Sequence, residues 1–62
     1  MSRRVLLEWC EVGQRFGCEG VVLDARTRRV LHRTVVRPYG MTATVLGDAQ
    51  AFAVSKDWEV LP

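Results

Sequence analysis

The sequence predicts a small, mainly β domain, either an antiparallel meander or a partly open barrel, formed by residues 1–62 as one unit. Five glycines divide the chain into pieces near the usual length of a strand. Several of these pieces are rich in β-branched residues, as in "GVVLDA" and "RVLHRTVV". A chain of 62 residues buries only about 60% of the surface that it exposes when unfolded, so a deep cleft is not expected.

The first segment, residues 3–16, has two interpretations. Alternation of Val5, Leu7 and Trp9 on one side predicts a strand, whereas Ser2 as an N-cap would favour a short helix. The strand is favoured because a meander of this size needs a further strand to close and protect its edge.

The segment from residue 20 to residue 36 predicts a β-hairpin. Two β-branched runs flank the polar letters "ART". The side chains of Asp24 and Thr27 bond nearby backbone amides when they lie in turns, so the tip is expected at residues 25–28.

The next segment predicts a second reversal followed by two more strands. Pro38 cannot donate to a strand ladder, and Gly40 can adopt a positive φ, so "RPYGM" is expected to turn the chain. "MTATVL", residues 41–46, alternates as a strand does, and the turn letters "GDAQ" lead to a further strand, "AFAV", over residues 51–54. The sheet is therefore predicted to extend over residues 19–54.

The tail, "AFAVSKDWEVLP", resembles the end of a Src-homology-3 barrel, where a strand enters a single tight helical turn and leaves as a short last strand. The resemblance implies that "SKDW" forms the turn, with Ser55 as its cap, and that "EVL" forms the strand, with Trp58 or Val60 facing the core. It supports a small barrel. It does not support that family's binding of proline-rich peptides, because the rest of the chain lacks the family's acidic and aromatic loops.

Composition and motifs argue against catalysis, metals and cofactors. Cys10 and Cys18 are too few for a disulfide framework, and with His32 they do not make a four-ligand zinc site. The sequence has no phosphate-binding glycine loop and no nucleophile elbow. It also has no apolar run long enough to span a membrane and no secretory signal. We therefore expect a non-enzymatic, cytoplasmic protein with reduced thiols and no membrane partner.

Eight of the nine basic residues are arginines, and seven acidic residues leave a net charge of +2. Alternation over residues 29–37 predicts a solvent face with Arg29, Leu31, Arg33, Val35 and Arg37, and a core face with Val30, His32, Thr34 and Val36. The predicted partner-binding residues are Arg26, Arg28, Arg29, Leu31, Arg33, Arg37 and Tyr39. Alternating guanidinium and aliphatic groups suit a contact surface, but they equally suit an edge strand that charge protects from aggregation.

Two functions follow from this surface. The first is a protein-binding module, an adaptor or inhibitor that docks on a larger acidic protein, as phage- or plasmid-encoded regulators of host proteins do. The alternative is a small nucleic-acid-binding barrel that uses Arg26, Arg28, Arg29, Arg33 and Arg37, a design weakened by the seven acidic residues. Self-association is also expected, because so small a chain gains core by pairing with a second copy.

Overall fold

The computed structural model describes residues 2–62 as a five-stranded mixed sheet with one helix packed on one face. The elements are β1 (Arg4–Val12), β2 (Gly17–Asp24), β3 (Val30–Arg33), β4 (Arg37–Pro38), α1 (Thr42–Ser55) and β5 (Glu59–Val60). The strands lie in the order β3, β2, β1, β5, and β4 also pairs with β2. The mainly β class with an open sheet is confirmed.

Strands β1 and β2 form the long hairpin on which the fold is built. They pair antiparallel from Val5 opposite Asp24 to Val12 opposite Gly17. The N-terminal segment is therefore a strand, as favoured, and the alternative of a short N-terminal helix is wrong. The local sequence did not decide between helix and strand. Pairing with β2 decides for the strand, because the backbone groups of β1 bond to those of this neighbour.

The turn between β2 and β3 lies where the sequence predicts it. The carboxylate of Asp24 accepts hydrogen bonds from the backbone N–H groups of Arg26 and Thr27, both at 2.9 Å. Arg28 completes the turn with a positive φ of 65°. This local side-chain bonding explains why the prediction succeeded.

Strands β3 and β4 lie one after the other along the same edge of β2. A register shift in the β2–β3 pairing falls between Val22 and Leu23. The backbone pairing ends at Thr34, whose N–H donates to the Gly20 carbonyl at 2.9 Å and whose hydroxyl accepts a hydrogen bond from the Gly20 N–H at 2.8 Å. Residues 34–36 then lie outside the strands before β4 begins.

The prediction of strands over residues 41–46 and 51–54 is wrong, because α1 occupies this part of the chain. The buried side chains of the helix are Val45, Ala49 and Ala53, spaced by four residues so that they share one face. Small side chains on this face let the helix lie very close to the sheet. A Cβ atom added to Gly20 of β2 would lie 2.2 Å from the backbone oxygen of Val45.

The tail departs from the Src-homology-3 pattern. Ser55 is the last residue of α1, where its hydroxyl donates to the Phe52 carbonyl at 2.6 Å, so it does not cap a separate helical turn. The short last strand is present as β5, but it pairs parallel with β1. Trp58 and Val60 both pack against the core, as the resemblance implied.

The core lies between α1 and one face of the sheet, the helix side. Val5, Val22, Ala49 and Ala53 are its fully buried centre. Along β1, the residues from Glu8 to Glu11 are all exposed, so the far part of the hairpin extends beyond this core. Within residues 2–62, no helix is long and apolar enough to cross a membrane.

Candidate interaction surfaces

The register shift in the β2–β3 pairing separates two of the predicted binding residues, Leu31 and Arg33. His32 pairs with Val22 and lies on the helix side, whereas Arg33, the next residue, lies on the opposite face. Leu31 packs against the core instead of sharing a face with Arg33. The predicted alternation of residues 29–37 is therefore wrong at Leu31, because a bulge places one extra residue on β3.

Two valines predicted to face the core are exposed. Val30 is 41% exposed, and it lies opposite Leu23 on the face away from the helix. Val36 is 55% exposed, because residues 34–36 lie outside the strands and no strand pairing holds the Val36 side chain against the core. Val35 is exposed, as predicted, and His32 faces the core, where its ring stacks on Phe52 with centroids 3.6 Å apart.

Arg33 and Arg37 are each held by a carboxylate of this chain, on opposite faces of the sheet. The Arg33 Nη1 donates to Glu19 Oε1 at 2.6 Å. The Arg37 side chain bonds both oxygens of Asp48 on α1, at 2.6 and 3.3 Å, and the hydrogen bond to Asp48 raises the pKa of Arg37. These two arginines tie parts of the fold together and do not form a common surface.

Four further arginines have longer ion pairs at the surface. The pairs are Arg3–Asp24 at 3.6 Å, Arg4–Glu59 at 3.8 Å, Arg15–Glu11 at 3.8 Å and Arg28–Glu8 at 3.7 Å. Such exposed pairs contribute little stability, but they offset charge locally. Among residues 2–62, Arg26 and Arg29 are the two arginines without an ion pair. Lys56 is the third basic side chain without an ion pair in this part of the chain, so two of the three lie at one turn.

That turn, residues 24–29, is here called the arginine turn, and its backbone is well held. The Asp24 N–H donates to the Arg29 carbonyl at 2.8 Å, and the Arg28 N–H donates to the Asp24 carbonyl at 2.8 Å. Hydrogen bonds from the backbone N–H groups of Thr27 and Arg26 lower the pKa of Asp24, and the Thr27 side chain and the charge of Arg3 lower it further. The carboxylate is therefore ionised at neutral pH and keeps the turn in one shape.

A shallow depression of about 600 Å³ lies beside the arginine turn. Arg3, Arg4 and Arg26 line it, and Asp24 is its one acidic residue among those described. Leu61 of the tail lines it too, so the tail and the arginine turn lie at the same end of the molecule.

The opposite end of the β1–β2 hairpin carries exposed aromatic side chains. Phe16 is 87% exposed in the turn between the strands, and Trp9 is 42% exposed on β1. Tyr39 follows Pro38, which pairs with Gly17 at this end of β2, and the Arg15 guanidinium lies 5.9 Å from its ring centroid. Tyr39 is therefore at the far end of the sheet from the arginine turn.

The two thiols are free and lie in different environments. Cys10 is exposed on β1, whereas Cys18 is buried and its Sγ contacts the Pro38 carbonyl at 3.6 Å. In the described part of the chain, no three histidine, cysteine or acidic side chains are grouped so that they could hold a metal ion.

The chain matches no family model, no curated protein and no solved structure. The surfaces must therefore be interpreted from their own chemistry.

Sequence reasoning missed two features of these surfaces. Phe16 follows three residues with positive φ and precedes Gly17, and this turn conformation leaves its ring exposed. Backbone angles are not visible in a sequence, so the exposure was not predicted. The split of Arg33 and Arg37 between two faces arises in residues 34–36, which lie outside the strands between Arg33, opposite Val21, and Arg37, opposite Cys18. The sequence has no glycine or other local marker there.

Proposed function

We propose that this chain is a non-enzymatic protein-binding module that docks the arginine turn on an acidic surface of a larger protein. The observation that carries the proposal is the position of the uncompensated charge. Six arginines are paired with carboxylates of the same chain, whereas Arg26 and Arg29 have no such partner in the described residues and lie on a turn held in one shape.

A preorganised turn suits recognition of carboxylates. Guanidinium groups form two parallel hydrogen bonds with a carboxylate, and a fixed backbone reduces the entropy lost on binding. Arg28 extends the same surface, because its ion pair with Glu8 is long and exposed. The proposed contact residues are therefore Arg26, Arg28 and Arg29.

A protein partner is favoured over nucleic acid by the small extent of this charge. Binding a phosphate backbone needs several cations along a track, each neutralising one phosphate. Arg33 and Arg37, which the nucleic-acid alternative requires, bond Glu19 and Asp48 on opposite faces of the sheet. Nucleic-acid binding is therefore the less favoured alternative.

A module of this size would act as an adaptor or inhibitor by occupying a surface of its partner. Free thiols at Cys10 and Cys18 suit a reducing compartment, so we propose action in the cytoplasm. Regulation of a host protein by a phage- or plasmid-encoded chain is one setting in which such a module would work.

Charge reversal tests the proposal. The chain is immobilised and incubated with nuclease-treated cell lysate, and the retained proteins are compared for the wild type, the variant R26E/R29E and the control R15E/K56E. Both variants change the net charge by the same amount. We expect the control to retain the same protein as the wild type and R26E/R29E to lose it, because attractive contacts at the turn become repulsive.

Two outcomes would contradict the proposal. Retention by R26E/R29E equal to that of the wild type would exclude the arginine turn. Loss of retained material on nuclease treatment, with affinity for a duplex oligonucleotide that falls steeply with salt, would assign the turn to nucleic acid instead. Thermal unfolding of both variants within about 0.5 kcal/mol of the wild type checks that neither result reflects misfolding.

A further inference from the structure

The outer edge of β1 is open along most of its length. β5 pairs with β1 only at its first two residues, Arg4 and Val5. From residue 6 to residue 12, β1 has no strand on its outer side among residues 2–62. An open edge presents unpaired backbone N–H and C=O groups to any strand that can reach them.

The hydrogen-bonding direction of each residue on this edge follows from its neighbours. The Arg4 carbonyl accepts a bond from the β2 side, whereas the Val5 carbonyl accepts one from the β5 side. Because the direction alternates along a strand, Leu7, Trp9 and Glu11 point their backbone groups outward. The open stretch of residues 6–12 is therefore centred on Trp9, the middle one of these three residues.

We infer that this edge pairs antiparallel with the same edge of a second copy of the chain, about a two-fold axis at Trp9. Trp9 then lies opposite Trp9 of the second copy, Leu7 opposite Glu11, and Leu6 opposite Val12. The sheets of the two copies join into one continuous sheet, and the exposed Trp9 rings lie side by side on the helix side.

This register pairs the outward backbone groups of β1 better than the registers shifted by two residues do. All three outward residues of each copy find a bonding partner in it. A shift by two residues in one direction places Glu8 opposite Glu8 and leaves Glu11 without a free partner. The shift in the other direction leaves Leu7 facing Gly13, which lies in the turn with a φ of 63°. Like charges directly opposite destabilise a strand pair, so the register centred on Trp9 is preferred.

The chemistry of the edge favours a second copy over an unrelated strand. Leu6 and Val12 are half-buried on the open face, and self-pairing covers each with the other. The acidic residues near the axis are already offset, because Glu8 pairs with Arg28 at 3.7 Å and Glu11 with Arg15 at 3.8 Å. The edge thus matches a second copy in length, and no two like charges lie directly opposite each other.

A proline at the edge tests the pairing. In Glu11→Pro the missing N–H is one that points outward, so the β1–β2 ladder is retained. The control Glu11→Thr also loses the ion pair with Arg15 but keeps the N–H. Sedimentation equilibrium should show a dimer for the wild type and for Glu11→Thr. For Glu11→Pro, the dissociation constant should rise about 100-fold or more, since each copy loses a hydrogen bond and gains a ring at the interface.

A disulfide tests the register. In Glu8→Cys, the new sulfur lies directly opposite Cys10 of the second copy, at a position that is not hydrogen-bonded and suits a disulfide. We expect a covalent dimer on mild oxidation of Glu8→Cys. The wild type should not form it, because the two Cys10 residues lie diagonally across the strand pair, roughly 7–8 Å apart. E8C/C10S should not form it either, because the two cysteines introduced at position 8 lie diagonally in the same way.

Three results would overturn the inference. The first is a wild type that remains monomeric into the millimolar range. The second is a Glu11→Pro variant that dimerises as the control does. The third is a covalent dimer formed by the wild type through Cys10, which would place the axis elsewhere on the edge.

Discussion

The two ends of the β1–β2 hairpin differ in what covers them. At the end near Val5 and Val22, α1 and the tail pack on the sheet and bury both residues completely. At the other end, β1 from Glu8 to Glu11 is exposed, and Phe16 in the turn is 87% exposed. Along β1, one end is therefore buried in the core, whereas the other exposes apolar surface, although Gly17 and Cys18 of β2 are buried there too.

The difference separates stability from binding. Substitutions of buried residues at the covered end remove packing and are expected to cost several kcal/mol, whereas substitutions of exposed residues, in the arginine turn or at the exposed end, are expected to change stability little. The two proposed contact regions, the arginine turn and the edge of β1, both avoid the core residues. Binding can thus be tested at either of them without unfolding the chain.

The largest effect is expected where the helix meets the sheet. Gly20→Ala places a methyl group 2.2 Å from the Val45 backbone oxygen, so the helix must move away from β2. We expect a loss of roughly 3–5 kcal/mol, comparable to the whole stability of a domain this small. The same substitution at the exposed Gly47 meets no atom within 4 Å and should stabilise the helix by about 0.5–1 kcal/mol. Urea unfolding of both variants measures the contrast.

The two tryptophans sharpen the comparison between the ends. Trp58 packs against the core and meets the Phe52 ring edge-on at 5.8 Å between centroids, so Trp58→Ala should cost about 3 kcal/mol. Trp9 is 42% exposed, and Trp9→Ala should cost about 1 kcal/mol or less in the monomer. Unfolding at low micromolar concentration separates the two values. Equal losses of unfolding free energy in the two variants would show that the two ends contribute equally to stability.

The arginine turn is expected to have a smaller, pH-dependent effect. Because the pKa of Asp24 is lowered in the folded chain from its ordinary value of 3.8, its ionised form contributes stability above about pH 4. That contribution is lost as the pH falls through the lowered pKa. Asp24→Asn keeps the oxygen that accepts the turn bonds but does not titrate. The stability gap between wild type and variant should therefore narrow from pH 5 to pH 2, and a constant gap would contradict this role.

The parts of the fold that depend on residues close together in the sequence could be predicted from it. The turn at Asp24 and Thr27 was predicted correctly because its hydrogen bonds join residues two and three positions apart. The helix was missed because Gly47 and Asp48 looked like a turn, and small side chains at Ala49 and Ala53 gave a weak apolar pattern. Only the close approach of Gly20, distant in sequence, explains why small residues suit that face.

The surfaces depend on pairings that local patterns do not contain. The bulge places Leu31 against the core, and Arg33 donates a hydrogen bond to Glu19 on the paired strand. The open edge of β1 exists because β5 is short and parallel, a property of the topology rather than of residues 6–12. Composition could therefore indicate a binding module rich in arginine, but not which arginines are free.

Amide hydrogen exchange along the β1–β2 hairpin tests most directly whether stability and free surface lie at opposite ends. It is followed by mass spectrometry at low micromolar concentration, so that self-pairing does not protect the edge. The amides of residues 21–24, beneath α1, should exchange at least about tenfold more slowly than those of residues 10–12. Equal protection along the whole hairpin would show one cooperative unit, and would contradict the division between a stabilising end and an exposed one.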